Sequence, residues 1–351
     1  MIIRSLNIFP YSIPFTTPLK TTTRMYNQRS GFIIRLQTDD DTGYGEAAPL
    51  PGISLESIDD CRNCLNEFSK EVDQNTAANS CDEWLSFVKS ICQKSHAAQF
   101  GLETAILDVA SQQAGLSLAS YLSVNHATSV PVNGLFHEGY SPMQGVTVTK
   151  IKVHHKDFSQ TIRLVEQLSH QLGADHKFRL DVNGGWNLSE AIQNCNQLKS
   201  LPIDYIEQPL PADQLNELAE LRKRTDIPIA VDESLTTYES AQRIIEQKAA
   251  DVFVIKPIIS GGFSEVNHIV LLAEKHHIRC ILTSSLETAV GRLATLHLAA
   301  AHQITEPCGL DTGYLLSRDV TEFPQIMRGE VTVPDAPGLG IAHITLPGTA
   351  R

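Results

Sequence analysis

The sequence predicts an α/β protein with a (β/α)₈ (TIM-like) barrel and an α+β capping domain built from the N-terminal region and the C-terminal tail. From about residue 130, short β-branched runs alternate with helical segments. Polar residues close those runs at spacings of 24 to 29 residues, which one strand, one helix and two short loops fill. No glycine-rich phosphate turn follows an early strand, which disfavours the competing doubly wound sheet.

The first 125 residues predict the larger part of the capping domain. The run GFIIRLQTDDDTGYGEAA has the pattern of a β-hairpin, and FGLETAILDVASQQAG carries apolar residues at helical spacing. Cys61 and Cys64 lie in another amphipathic helix, where we expect buried thiols. The odd count of seven cysteines fits a reducing compartment.

The barrel is expected over residues 126–318. Eight apolar runs predict its eight strands, and they are VPVNGLF, TVTKIKV, KFRLDVN, IDYIEQP, IPIAVDE, DVFVIKP, RCILTS and CGLDTG. Residues 319–351 form a tail, in which VTVPDAPGLGIAHI predicts two short strands that return to the capping domain. The active site of such a barrel lies at the carboxyl ends of its strands.

Composition excludes several classes of protein. Of the 351 residues 42% are hydrophobic and only 19% charged, so a largely disordered chain is excluded. The net charge of −12, without a clustered basic face, argues against a nucleic-acid partner. No run approaches the roughly 20 apolar residues that span a bilayer. We expect a cytoplasmic protein without a membrane partner, either a monomer or a homo-oligomer.

Three carboxylates close consecutive predicted strands. Asp181 ends RLD, Glu207 ends YIE and Asp232 ends AVD. At the mouth of a barrel they would converge within a few ångströms and repel one another strongly. Mg²⁺ prefers such oxygen ligands, so the sequence predicts a magnesium site, in which Mn²⁺ is a possible substitute. Helix caps or ion pairs with barrel lysines are the alternative roles for these acids.

Two lysines flank the carboxylates from opposite sides. Lys152 ends the second predicted strand and Lys256 the sixth, so they face each other across the mouth. Partial burial near another cation would lower the pKa of such a lysine towards the range of a general base. Lys150 points to the same interior side as Lys152, where it binds substrate or pairs with the acids. The predicted chemistry is removal of a proton next to a carboxylate, with the divalent cation stabilising the enediolate.

These residues resemble the enolase superfamily, in its muconate-lactonising-enzyme-like branch. The matching motifs are KIK (150–152), RLDVN (179–183), YIEQP (205–209), VDES (231–234) and IKP (255–257) followed by SGG (260–262). Three more, GYGEAAPLPGIS (43–54), SSLET (284–288) and GLDT (309–312), resemble the o-succinylbenzoate synthase (MenC) family. The resemblance covers nearly the whole chain.

The resemblance implies a dehydratase of menaquinone biosynthesis. Lys152 would remove the α-proton of 2-succinyl-6-hydroxy-2,4-cyclohexadiene-1-carboxylate and return it to the departing hydroxyl, a syn elimination that yields o-succinylbenzoate. Lys256 would be the opposing cation. The substrate-binding candidates are Lys150, Arg179, Asn183, Ser284, Ser285 and Asp311. Loops near Thr21–Arg24 and Pro49–Ile53 would cover this small-molecule carboxylate.

Other reactions share this constellation. N-acylamino-acid racemases and dipeptide epimerases of the superfamily use the same two lysines, one on each face of the carbon. Dipeptide epimerases typically carry D-x-D at the end of strand eight, where this chain has Asp311-Thr312-Gly313. The missing second acid counts against dipeptides, whereas N-acyl substrates have no ammonium group to bind. A Schiff-base barrel using Lys256 and a non-catalytic barrel are the remaining alternatives.

Overall fold

A computed structural model of the chain describes residues 1–20, 25–74, 79–137, 143–154 and 157–348. The predicted loop near Thr21–Arg24 lies outside these residues. The N-terminal region forms an antiparallel sheet of β1 (Ser5–Lys20), β2 (Met25–Gln37) and β3 (Thr42–Ala47). Four helices follow, α1 (Ile58–Gln74), α2 (Cys81–Ile91), α3 (His96–Gln113) and α4 (Leu118–Leu122).

Helix α3 is buried along most of its length because the sheet packs directly against its backbone. Gly43 and Gly45 of β3 make this approach possible. A Cβ added to Gly45 would lie 1.9 Å from the carbonyl oxygen of Gly101, and one added to Gly43 would lie 2.3 Å from that of Ala105. The glycines of the GYGE motif therefore serve contact between a strand and a helix.

The structure corrects the expectation for one of the two neighbouring cysteines. Cys61 is a buried free thiol, as expected. Cys64 is instead joined by a disulfide to Cys92, which directly follows α2. The bond links two helices of the N-terminal region through residues that are far apart in sequence.

The second half of the chain forms a parallel sheet of seven strands. They lie side by side in sequence order as β5 (Gly134–Leu135), β6 (Val148–Lys152), β7 (Lys177–Asp181), β8 (Ile203–Glu207), β9 (Ile229–Val231), β10 (Val252–Ile255) and β11 (Arg279–Leu282). The helices between and after them are α5 (Phe158–Leu172), α6 (Leu188–Leu198), α7 (Leu215–Arg222), α8 (Tyr238–Gln247), α9 (Pro257–Ser260), α10 (Gly262–Lys275) and α11 (Ala289–Ala301).

The predicted eighth strand, CGLDTG, is not a regular strand. Cys308 makes an isolated parallel bridge to Val132, and Gly309 makes one to Thr283. These two residues thus contact both edges of the seven-stranded sheet, next to β5 and β11. Seven of the eight predicted strands are present, and a full eight-stranded barrel is not formed in the described residues.

The C-terminal tail also differs from the prediction. Its strands are β12 (Ile326–Met327) and β13 (Glu330–Thr332), and β13 pairs with β4 (Ser129–Pro131). The later segment GIAHI is not a strand. The tail does reach the N-terminal helices, because Leu339 donates its backbone N–H to Asp108 of α3 at 2.8 Å. Within the described residues, no helix is both long enough and apolar enough to cross a bilayer.

Candidate active site

Charged side chains meet at the carboxyl ends of neighbouring strands. β6 ends at Lys152, β7 at Asp181 and β8 at Glu207, while Asp232 directly follows β9. The register pairs Lys152 with Asp181 and Asp181 with Glu207. Parallel strands end at the same edge of a sheet, so the sequence pattern alone brings these side chains together.

Lysines of β6 contact the first two carboxylates. Lys150 Nζ lies 2.9 Å from Asp181 Oδ2 and 2.7 Å from Glu207 Oε1. Lys152 Nζ lies farther from Asp181, at 3.7 Å, and its side chain is 51% exposed. Of the two roles considered for Lys150, this geometry shows pairing with the acids, and it leaves Lys152 the more accessible amine.

Lys256 holds the third carboxylate. Its Nζ lies 2.5 Å from Asp232 Oδ2, and its side chain is only 16% exposed. Burial lowers the pKa of Lys256, but Asp232 and Glu233 raise it, and the net result is a raised pKa. This is the opposite of the lowering predicted from the sequence, because the neighbouring carboxylates outweigh burial and the nearby cation.

Glu207 is buried beside the other two carboxylates, and they perturb its pKa. The pKa of Glu207 is raised to about 8: burial is the largest cause, Asp181 and Asp232 add to the rise, and Lys150 opposes it. Glu207 Oε2 is buried and has no hydrogen-bond partner among the described residues. An unpartnered carboxylate oxygen beside two more carboxylates suits a hard divalent cation.

The predicted convergence of the three acids is nevertheless incomplete. In the described part of the chain, no three acidic, histidine or cysteine side chains are arranged to hold a metal ion as they stand. The ammonium of Lys150 forms ion pairs with both Asp181 and Glu207, and that of Lys256 forms one with Asp232. The donor types therefore fit Mg²⁺, while the lysines supply the balancing charge in this arrangement.

Asn183 links Lys152 to an acid that the sequence analysis missed. Its Oδ1 accepts a hydrogen bond from Lys152 Nζ at 3.0 Å, and its Nδ2 donates to Glu233 Oε1 at 3.0 Å. Its φ of 47° lies in the left-handed region, which asparagine tolerates better than most residues. Glu233 stands next to Asp232 in the VDES motif, but β9 has ended there, so strand alternation could not show where its side chain lies.

Arg179 is not brought into this group. Its guanidinium lies 2.8 Å from Asp204, bonds Asn133 Oδ1 at 3.1 Å and covers the ring of Tyr205 at 4.8 Å. Asp204 also pairs with Arg279, the first residue of β11. Arg179 is therefore part of a buried ion-pair cluster towards the amino ends of the strands, away from the carboxylates at their carboxyl ends.

The remaining predicted residues lie around the ends of β11 and the following loops. Ser284 Oγ lies 2.6 Å from Thr312 Oγ1. Ser285 Oγ is buried and has no hydrogen-bond partner among the described residues. The pKa of Asp311 is raised, because the effect of burial exceeds the lowering by Arg292 and His137.

Two charged residues of the N-terminal sheet, both missed by the sequence analysis, hold the loop of residues 284–288. Arg29 is buried and donates to the carbonyl oxygens of Leu286 at 3.2 Å and Pro49 at 2.9 Å. Glu46 accepts from the backbone N–H groups of Thr288 and Gly291, both at 3.0 Å, and so caps α11. The GYGE motif contained Glu46, but nothing in the sequence alone placed it against a distant helix.

Comparison with known proteins assigns the family. The family described as "Enolase C-terminal domain-like" matches residues 138–343, more than half of the chain. The chain belongs to the enolase superfamily. The family described as "MenC, N-terminal domain" matches residues 3–109 of this enolase-superfamily chain.

Individual relatives point to different reactions within the superfamily. L-Ala-D/L-Glu epimerase of Bacillus subtilis (strain 168) is 28% identical over 95% of each chain. A substrate-liganded structure of the B. subtilis epimerase has a TM-score of 0.88 and covers 99% of this chain and 100% of that one. o-Succinylbenzoate synthase of Thermobifida fusca (strain YX) is 37% identical over 51% of this chain and 56% of that protein. A dipeptide epimerase from Enterococcus faecalis V583, solved with Mg and L-Leu-L-Tyr, has a TM-score of 0.87 at 23% identity over 98% of this chain and all of that one.

Proposed function

We propose that this chain is an o-succinylbenzoate synthase, which removes water from 2-succinyl-6-hydroxy-2,4-cyclohexadiene-1-carboxylate. The placement of Lys152 at the end of β6 and Lys256 just after β10, four strands apart, is the observation on which the proton-removal step of the proposal rests. Two amines on opposite sides of acidic strand ends suit proton removal from a carbon held between them. The match to the MenC N-terminal domain and the identity to the T. fusca enzyme support this member of the superfamily.

In the proposed reaction, Lys152 works from one face of the substrate. Its neutral amine takes the proton from the carbon next to the carboxylate, and the electron pair of that C–H bond moves towards the carboxylate to give the enediolate. That pair then returns to form a ring double bond as the neighbouring C–O bond breaks, and the ammonium of Lys152 protonates the departing hydroxyl, so that o-succinylbenzoate and water leave. Asn183 Oδ1 accepts from the same nitrogen and orients it.

Charge stabilisation comes from the other face. The ammonium of Lys256 lies against Asp232 and opposes the negative charge of the enediolate. Asp181, Glu207 and Asp232 would hold a divalent cation, which would supply further positive charge near the substrate carboxylate. Mg²⁺ is the proposed ion because the donors are carboxylates and because the E. faecalis relative was solved with it.

A second candidate is proton transfer between the two faces of an amino-acid derivative. The B. subtilis epimerase, similar over nearly the whole chain, favours it. Within this candidate, an N-acylated amino acid fits better than a dipeptide. A dipeptide ammonium needs carboxylate partners, but beyond Asp311 the strand-eight segment offers Thr312, whose hydroxyl already contacts Ser284.

One assay separates the two candidates. Purified protein with Mg²⁺ is mixed with the cyclohexadiene carboxylate, and the absorbance change is followed with Lys152→Ala as the control. Rapid conversion that EDTA abolishes would support the dehydratase. Absence of conversion, together with α-deuteration of N-succinylamino acids in D₂O, would replace it with the racemase.

A further inference from the structure

The turn that follows Lys256 is short and closed by backbone hydrogen bonds. The backbone oxygen of Lys256 accepts hydrogen bonds from the N–H groups of Ile259 at 2.8 Å and Ser260 at 2.9 Å, so this lysine is the N-cap of α9. Gly261 and Gly262 then take φ values of 94° and 87° and lead into α10. The position of Lys256 is therefore connected, through a single helical turn, to the N-terminus of α10.

One face of α3 lies along this turn. His96, Phe100 and Glu103 follow one another at spacings of four and three residues, which places them on the same side of the helix. The Nδ1 of His96 donates to the carbonyl oxygen of Ile259 at 2.6 Å. The ring of Phe100 stacks on that of Phe263, with the centroids 6.0 Å apart.

Glu103 completes this contact from the buried end. Its Oε2 accepts from the backbone N–H groups of Phe263 at 2.6 Å and Ser264 at 3.2 Å, and its Oε1 accepts from Ser264 Oγ at 3.1 Å. First-turn N–H groups have no partner inside their own helix, and a negative charge is favourable there. A Cβ at Gly262 would lie 2.5 Å from the Glu103 carboxylate, so glycine permits the approach.

We propose that His96 and Glu103 are positioning residues that hold the Lys256 turn, so that α3 of the N-terminal region determines where the Lys256 ammonium lies. The inference rests on the proposed function, in which Lys256 faces the enediolate. Neither residue touches the reacting atoms. Their effect is geometric, and a displacement of about 1 Å at a reacting group can cost about 10²-fold in rate.

The test compares chemically matched substitutions on one helix. Glu103→Gln keeps the side-chain shape but replaces one acceptor oxygen with a donor. Asp108→Asn is the control, since Asp108 is also buried in α3 and accepts two backbone N–H bonds, from Tyr44 and Leu339, both at 2.8 Å. His96→Ala removes the other end of the contact and serves as a milder second variant.

Two measurements are made on each full-length variant. Amide hydrogen exchange, followed by mass spectrometry, reports on the N–H groups of Ile259 and Ser260 without requiring activity. Steady-state kinetics with the cyclohexadiene carboxylate gives kcat and KM. In Glu103→Gln and His96→Ala we expect exchange at least about tenfold faster and kcat about tenfold lower, with KM within about twofold of wild type. Asp108→Asn should leave the exchange of these two amides unchanged.

Unchanged amide exchange in both variants would overturn the proposal, as would faster exchange with an unaltered kcat. An equal loss of kcat in Asp108→Asn would show a general effect of destabilising α3 and would also overturn it. If the wild-type enzyme converts no substrate, the proposed function fails by itself, and the amide exchange still decides whether α3 holds the turn.

Discussion

We expect the buried carboxyl group of Glu287 to lower the free energy of unfolding as pH rises, and we expect the substitution Glu287→Gln to remove this dependence. It lies in the loop between β11 and α11, buried, with one carboxylate oxygen accepting the N–H of Ser285 at 2.6 Å. The other oxygen, Oε1, has no hydrogen-bond partner among the described residues. Burial raises the pKa of Glu287 from 4.5 to about 7, with Arg29 lowering it and Glu46 raising it.

The direction of the effect follows from linkage. A carboxyl whose pKa is higher in the folded than in the unfolded state binds its proton more tightly when folded. Its contribution therefore destabilises the fold progressively as pH rises from about 4.5 to about 7, and fully above that range. At 1.36 kcal/mol per pKa unit, this rise corresponds to about 3 kcal/mol.

The Glu287→Gln variant has no ionisable group at this position. The free energy of unfolding of this variant, relative to that of wild type, should therefore increase by about 3 kcal/mol as the pH rises from 4.5 to 8. Urea unfolding of both proteins across this range gives the difference directly, because the other titrating groups cancel. Glu274→Gln, on an exposed part of α10, controls for loss of one negative charge. A difference between Glu287→Gln and wild type that stays constant with pH would refute the reasoning.

Four further outcomes are expected. Lys152→Ala should lower kcat by about 10²–10⁴-fold while leaving the melting temperature unchanged. A variant that keeps even about a tenth of the wild-type kcat would show that Lys152 is not the base. Asp232→Asn should weaken Mg²⁺ binding measured by calorimetry, and wild-type turnover should stop in EDTA and return with Mg²⁺ or Mn²⁺. EDTA-insensitive turnover would contradict the metal site. Arg179→Met should cost about 3 kcal/mol of stability in urea unfolding, since it breaks a buried pair with Asp204, and should leave KM unaltered. A raised KM with normal stability would place Arg179 at the substrate. Gly45→Ala should lower the free energy of unfolding by about 1–3 kcal/mol, because its Cβ would overlap Gly101. An unaltered unfolding curve would show that α3 can move away.

The charged strand ends were predictable because parallel strands share one edge. Apolar runs located the strands, and their last residues, Asp181 and Glu207, then had to be neighbours. The same apolar runs located the seven regular strands. The eighth could not be distinguished from them, because Cys308 and Gly309 have strand-like sequence but form only single bridges.

Other features depend on the length and direction of side chains, which the pattern does not contain. Alternation shows that Arg179 points inwards, but its long side chain reaches Asp204 near the start of β8. The raised pKa of Lys256 depends on how closely Asp232 approaches it. The disulfide between Cys64 and Cys92 requires the packing of two helices, which no spacing rule gives.

The isolated bridges at Cys308 and Gly309 have a consequence for the order of folding. Most contacts between neighbouring strands join segments one repeat apart, whereas Val132 and Cys308 are separated by half the chain. Loop-closure entropy opposes such distant pairings until the intervening segments are compact. β13 also pairs with β4, directly before Val132, so a second long-range pairing joins the same two parts of the chain. The two edges of the parallel sheet are therefore bridged late in folding, after the strands between them have paired.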